Sequence, residues 1–283
     1  MASLKNTNIN DTGYLQLPSG TTAQRPSSPS VGYMRWNTTN EATEIWNGSA
    51  WVEGPTAAPP PPPFPFVTSG LQQFLDASDV TSYPGSGSTW YDISGNSRNV
   101  TGLTSFTSSG TASYFNIDNL EGTGPASNSF GINNTSGYTI ILVFKTNTVT
   151  NNAAFKFWGN VGSNRGIFLH PGWVNNTLYW DQGGCCDASQ RLTASMSYST
   201  WQMVGLRSDV SSRKIFLNSA VVASTSTAAA NIDLDSRAQT IGGASDEADW
   251  PGGDLALFAV YNRGISDAEW TSNYNAIKSR FGI

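Results

Sequence analysis

The sequence predicts an all-β protein: a β-sandwich with one short C-terminal helix, preceded by a small N-terminal β unit. Three observations carry this reading. Charged residues make up only 12% of the 283, and Gly, Asn, Ser and Thr, the usual turn formers, fill the gap. Short β-branched and aromatic runs follow one another at close spacing. A helical period is clear only in the last stretch of the chain.

Taken in order, residues 1–54 read as a compact polar unit. Leu15-Gln16-Leu17-Pro18 leads into a turn at Ser19-Gly20. Val31–Trp36, Glu44–Trp46 and Ala50–Val52 read as three strands, joined by turns at Asn37–Asn40 and Asn47-Gly48. Alternation puts Tyr33 and Arg35 on one face and Met34 and Trp36 on the other. A unit of this size with three Trp buries little core alone, so a partner surface or self-association is expected to support it. Tyr33, Trp36, Trp46 and Trp51 are its candidate interface residues.

Residues 55–66 hold five consecutive prolines, Pro59 to Pro63. Such a run favours polyproline II and acts as a stiff spacer. Residues 67–283 then read as the sandwich. Tyr138–Phe144 is the strongest strand, joined by Ala153–Trp158, Gly166–His170, Thr177–Asp181, Trp201–Arg207, Lys214–Asn218, Gln239–Ile241 and Leu255–Tyr261. At the end, Ser266 and Glu269 form an S-x-x-E capping box, and Trp270, Tyr274, Ile277 and Phe281 recur at helical spacing. Lys278 and Arg280 suit the helix C-terminus.

Bulk properties exclude several classes. The net charge is −5, with no Lys/Arg cluster, so nucleic-acid binding is not expected. No apolar run reaches the length of a membrane span, and no apolar stretch of a signal peptide follows Met1. The expectation is synthesis in a reducing cytoplasm without membrane insertion. The adjacent Cys185 and Cys186 read as two free thiols or, alternatively, as a strained vicinal disulfide.

Two segments carry a family resemblance. Leu75-Asp76-Ala77-Ser78 with Tyr83–Asn96 (containing Thr89-Trp90-Tyr91-Asp92), and Leu257–Glu269 with Asn273-Tyr274-Asn275, resemble the opening and closing signatures of laminin-G-like jelly rolls of the concanavalin A-like superfamily. Trp201-Gln202-Met203-Val204 and Ile215-Phe216-Leu217-Asn218 resemble that family's internal strand and hairpin, with Asn218-Ser219 in place of Asn-Gly. The resemblance covers about residues 70–283 and implies the jelly-roll fold. Separately, Leu17–Pro26, Gly32–Asn37 and Trp46–Trp51 are similar to a segment common in phage and cyanophage virion proteins such as fibres and capsid decorations. That similarity implies a virion structural protein. Its N-terminus would dock on capsid or tail proteins, as a homo-oligomer, with the jelly roll displayed outward.

The chemistry-bearing residues point to binding rather than turnover. Glu247-Ala248-Asp249 begins the E-x-D-x-x-E pattern of glycosidases on this fold, but position 252 is Gly. His170, the one histidine, has no G-x-S-x-G partner motif. No catalytic residue and no cofactor is therefore expected. Trp173, Tyr179, Trp180, Asp181 and Asp187, with the second loop's Asp246, Asp249 and Trp250, mix aromatic rings with carboxylates, as sugar sites do. They read either as contacts to host surface glycans or as core and interface residues. Calcium held by Asp carboxylates is a further candidate, although these Asp residues show no fixed ligand spacing. A carbohydrate-binding adhesion module is thus the alternative to the virion structural reading.

Overall fold

The computed structural model describes residues 17–54, 65–117, 120–133, 136–146, 155–159, 166–173, 176–183, 190–226, 232–242 and 253–283. The chain divides into two compact units, residues 1–64 and 65–283.

The first unit is one sheet of strands β1 (Ser19–Gly20), β2 (Met34–Asn37), β3 (Ala42–Trp46) and β4 (Trp51–Glu53), in that order. Ser19-Gly20, expected as a turn, pairs in parallel with Trp36-Asn37 instead. The interior of this unit is polar. Glu44, fully buried, accepts from Arg25 Nη2 at 2.6 Å and from Asn37 Nδ2 at 3.0 Å, and Arg35 Nε lies 3.4 Å away. The apolar side chains of β2 point the other way: Met34 and Trp36 are exposed, beside Val52. Strand register explains this, because Met34 pairs with Ile45 and Ile45 with Val52, while Arg35 pairs with Glu44.

The second unit begins with β5 (Leu71–Asp76), β6 (Thr89–Trp90), β7 (Val100–Thr101), β8 (Phe106–Thr107), β9 (Tyr114–Asn116) and β10 (Glu121–Ala126). It continues with β11 (Tyr138–Thr146), β12 (Phe155–Phe157), β13 (Ile167–Trp173), β14 (Thr177–Gln182) and β15 (Arg191–Ser195). The last strands are β16 (Gln202–Ser208), β17 (Arg213–Leu217), β18 (Ala220–Thr225), β19 (Ala238–Gly242) and β20 (Gly253–Tyr261), followed by helix α1 (Asp267–Phe281). They form two eight-stranded sheets. The front sheet runs β15-β14-β13-β12-β19-β10-β7-β6 and the back sheet β18-β17-β16-β11-β20-β9-β8, with β5 also paired to β20. This is the expected jelly-roll type of sandwich. The strands between residues 71 and 126 were not individually predicted beyond the family signature, because most span two or three residues and show no usable alternation.

The core lies between the sheets. Leu169, Leu178, Trp180 and Ile241 of the front sheet join one apolar cluster with Ile140, Leu142, Leu206 and Phe258 of the back sheet. Phe155 meets Phe258 edge-on across the gap, with ring centroids 5.7 Å apart. Such a pair adds about 1 kcal/mol to the area it buries. Tyr138 and Trp180 cross in the same way at 6.0 Å, and the Trp180 indole N–H donates to the Tyr138 hydroxyl.

The back sheet is covered on its outer side too, by α1. Its capping box forms as expected: Glu269 N donates to Ser266 Oγ, and Ser266 N donates to Glu269 Oε2 at 2.7 Å. Trp270, Ile277 and Phe281 are buried, but Tyr274 is only half-buried. Asn273 takes the fourth buried position. It accepts from Val67 N at 2.9 Å and donates to Tyr261 Oη, which in turn donates to Val67 O. Phe66, assigned to the linker by sequence, is buried against Phe74 and belongs to this unit.

Candidate functional site

Alternation along β14 divides the sequence-predicted site residues between two faces. Trp180 points into the core and is fully buried, which corrects its assignment as a ligand contact. Tyr179 and Asp181 lie on the other face of the front sheet, where Tyr179 is half-buried and Asp181 is fully buried. Trp173 ends β13 opposite Thr177, and its side chain lies outside the described part of the structure. Asp187, Asp246, Asp249, Trp250, Cys185 and Cys186 also lie outside the described residues.

Register builds the site around Asp181. Arg191 of β15 and Phe168 of β13 sit directly opposite it, and Lys156 of β12 lies opposite Phe168. Lys156 in turn faces Thr240 of β19. Arg191 grips Asp181 with two bonds, Nε to Oδ1 at 2.6 Å and Nη2 to Oδ2 at 2.7 Å. His170 Nε2 stands 3.3 Å from Asp181 Oδ2. Burial alone would raise the Asp181 carboxyl, but the bonds from Arg191 and His170 outweigh it and leave it below the ordinary carboxylate range. Asp181 is thus held as an anion.

Rings alternate with the charges. The Arg191 guanidinium lies over Tyr179 at 4.5 Å, and Tyr179 is half-buried. Lys156 Nζ lies 4.8 Å from the Trp158 ring centre, and Arg237 covers the same ring at 4.6 Å. Arg237 is fixed by Asp235 at 2.8 Å and by the Gly159 carbonyl. Stacking holds the cations in place at low entropy cost and leaves donors in a rigid fork.

Sequence reasoning found Tyr179 and Asp181 but missed Arg191, Phe168, Lys156, Trp158 and Arg237. The alternation of Gly166–His170 marks Phe168 and His170 as one face. No local signal places β12 between β13 and β19, since that neighbour relation joins distant parts of the chain. Among the described residues, no group of three or more His, Cys, Asp or Glu is arranged to hold a metal ion. No helix among them is long and apolar enough to cross a membrane.

Of the interface candidates, Trp36 shares the exposed face of the first unit with Met34 and Val52. Trp46 and Trp51 lie on the opposite face, with ring centroids 5.8 Å apart. Tyr33 is exposed, and its carbonyl accepts from Trp46 N. The four therefore do not form one patch.

The second unit is a two-sheet β-sandwich. The chain is similar to the binding domain of Paraclostridial Mosquitocidal Protein 1, with a TM-score of 0.55, 14% identity, and coverage of 74% of this chain and 52% of that one. It is similar to the botulinum neurotoxin serotype D binding domain, with a TM-score of 0.53, 13% identity, and coverage of 74% and 52%. It is also similar to Trypanosoma rangeli sialidase in complex with sialic acid, with a TM-score of 0.54, 14% identity, and coverage of 75% and 34%. The chain thus spans a third to a half of these proteins. At such identities the likeness shows the fold alone. No family model matches the chain, and no curated protein does.

Proposed function

We propose that the second unit is a carbohydrate-binding, lectin-like module that recognises surface glycans through the outward face of its front sheet. One observation carries this: half-buried Tyr179 lies under the Arg191 guanidinium, which buried Asp181 holds in place, and half-buried Trp158 lies under Lys156 and Arg237 on the same sheet, so apolar ring surface lies next to oriented donors. Rings take the apolar faces of sugars, and fixed polar groups take their hydroxyls. A sialidase solved in complex with sialic acid shares this fold, which accords with a sugar ligand. Binding proceeds without turnover in this reading. Asp181 is committed as an anion to Arg191 and His170, which leaves it no proton to donate. A glycan array probed with the full chain tests the proposal. Tyr179→Ala and Trp158→Ala should each weaken the best ligand about tenfold while the fold persists. Wild-type binding to no glycan on the array overturns it.

A second reading concerns the first unit. Exposed Met34, Trp36 and Val52 on one face favour an attachment surface, and the resemblance of residues 17–51 to virion segments gives it a setting. In that setting the first unit docks on a capsid or tail protein, the proline run spaces the module outward, and the protein resides in a virion as a homo-oligomer. Cryo-electron microscopy of particles carrying the full chain, compared with a deletion of residues 1–54, decides it. Density lost with the deletion supports attachment, and particles without the full-length protein refute it.

A further inference from the structure

The outer face of the back sheet carries a polar row of its own. Lys145, near the end of β11, pairs with Asp254 of β20, and Asp254 pairs with Asn116 of β9. Directly paired residues share a face, so the three side chains stand in one line across three neighbouring strands. Asp254 bridges the other two. Its Oδ2 lies 2.7 Å from Lys145 Nζ, and its Oδ1 accepts from Asn116 Nδ2 at 3.0 Å. One carboxylate thus touches both an amine and the nitrogen of a carboxamide.

Aromatic rings wall this row. Lys145 Nζ lies 5.0 Å from the Trp201 ring centre and 5.2 Å from that of Tyr114. The two rings meet edge-on at 5.6 Å, and Phe281, at the end of α1, packs on Trp201 at 5.3 Å. Asp254 is buried, while Lys145, Asn116, Tyr114 and Trp201 are half-buried. The rings and the carboxylate together fix the amine beside the amide. Holding two reactants in this way turns a slow encounter into a step within one molecule.

We propose that Lys145 and Asn116 become joined by an intramolecular isopeptide bond, with Asp254 as the catalytic residue. Lys145 passes one proton to Asp254, and the lone pair of the resulting amine attacks Asn116 Cγ. Asp254 gives that proton to Nδ2 and takes a second from Nζ. The Cγ–Nδ2 bond breaks, the new Cγ–Nζ bond stays, and ammonia leaves. The ammonia takes up the last proton as ammonium, and Asp254 returns to a carboxylate. Nothing is oxidised or reduced, and no further reactant is consumed. The bond ties β9 to β11 across β20. At roughly 4.8 Å between strands, the two backbones lie about 10 Å apart, a gap that the four-carbon stem of lysine and the short Asn side chain span. Like a disulfide, the link stabilises by restricting the unfolded chain.

Mass spectrometry of the full chain tests this. Trypsin with a Glu-specific protease cuts after Arg98, Glu121 and Lys156, and an acylated Lys145 resists trypsin. The expected product is residues 99–121 joined to residues 122–156, one ammonia lighter than the two peptides together. Separate peptides 99–121 and 122–145 from the wild type overturn the proposal. Asp254→Asn keeps the size of the side chain and is expected to yield those separate peptides. A joined product from Asp254→Asn overturns the role of Asp254. The wild-type peptides decide the bond whether or not the variant folds, and a circular dichroism spectrum equal to that of wild type certifies the variant's result.

Discussion

The indole of Trp270 lies stacked on the ring of Phe216, with centroids 4.6 Å apart and planes 27° from parallel. Three other features converge on this contact. The indole N–H donates to the Asn218 carbonyl at 2.8 Å. Asn218 adopts φ 52° in the two-residue turn between β17 and β18, and its side chain accepts from Met203 N at 2.9 Å. Gly205 of β16 leaves bare backbone where the indole sits, since a Cβ there would collide with the ring. One residue thus fastens the helix to the hairpin and to β16. Trp270→Ala is expected to cost about 4 kcal/mol and Gly205→Ala about 2 kcal/mol of unfolding free energy, by urea denaturation of the full chain. A Gly205→Ala protein as stable as wild type shows that the helix shifts freely on the sheet, contrary to this account.

Between the sheets, a short polar relay crosses the apolar core. Trp180 Nε1 donates to Tyr138 Oη at 3.1 Å, and Tyr138 donates on to Gln182 Oε1 at 2.8 Å. Burial drives the Tyr138 hydroxyl well above its ordinary pKa, so it stays neutral and remains a donor. Tyr138→Phe removes the acceptor of a buried indole N–H without leaving a large cavity. A loss of about 2 kcal/mol is expected in chemical denaturation. No measurable loss means that another group or water already satisfies the indole.

Acid is expected to loosen the start of α1. Glu269 accepts from Arg263 at 2.6 and 2.9 Å and from Ser266 N, and these bonds hold its carboxyl down to about 2. The folded value lies below the ordinary 4.5, so this contribution is full above 4.5 and fades as pH falls from there toward about 2. Both partners are partly solvated, so the effect is that of a helix cap and a surface pair. Glu269→Gln should cost about 1 kcal/mol at pH 7 and nothing below pH 2, as read from melting curves across pH. Equal melting shifts at both pH values count against the assignment.

Local chemistry made much of this fold legible in advance. The nine-residue run from Tyr138 to Thr146 is β-branched and aromatic, and it became the central strand β11. The capping box at Ser266 and Glu269 placed the helix start correctly, because it depends on two residues three apart. Tyr274 was harder. It follows the helical period, yet Asn273 is the buried residue, since it joins Val67 and Tyr261 in one hydrogen-bonded triangle. Trp180 was misplaced for a related reason. Tyr179, Trp180 and Asp181 are all credible sugar contacts by type, and only the parity of the strand decides which two lie on the face away from the core. Lys156 and Arg191 came to the site through register between strands distant in sequence, and no local pattern encodes that relation.

The first unit is expected to unfold in acid before the second, because ions rather than apolar side chains fill its interior. The bidentate bond from Arg25 is the largest influence on Glu44. It outweighs the opposing effect of burial and, with Asn37 and Arg35, holds the carboxyl below its ordinary range. A lowered folded-state value means that the cluster stabilises the unit above the ordinary carboxylate range, and that this stabilisation drains away as pH falls below it. Glu44→Gln imitates the protonated state at neutral pH. It leaves Arg35, 5% exposed, beside an uncharged partner, and removing one member of a buried pair costs about 3 kcal/mol. A unit this small has little stability beyond that. Trypsin cleavage after Arg35 at pH 7 should therefore become rapid in Glu44→Gln, while the thermal transition of residues 65–283 stays in place. Wild type brought to pH 3 and digested with pepsin should open in the same region first. Protection of the first unit that survives both the substitution and the acid would show that its exposed apolar face, rather than the buried ionic cluster, holds it together.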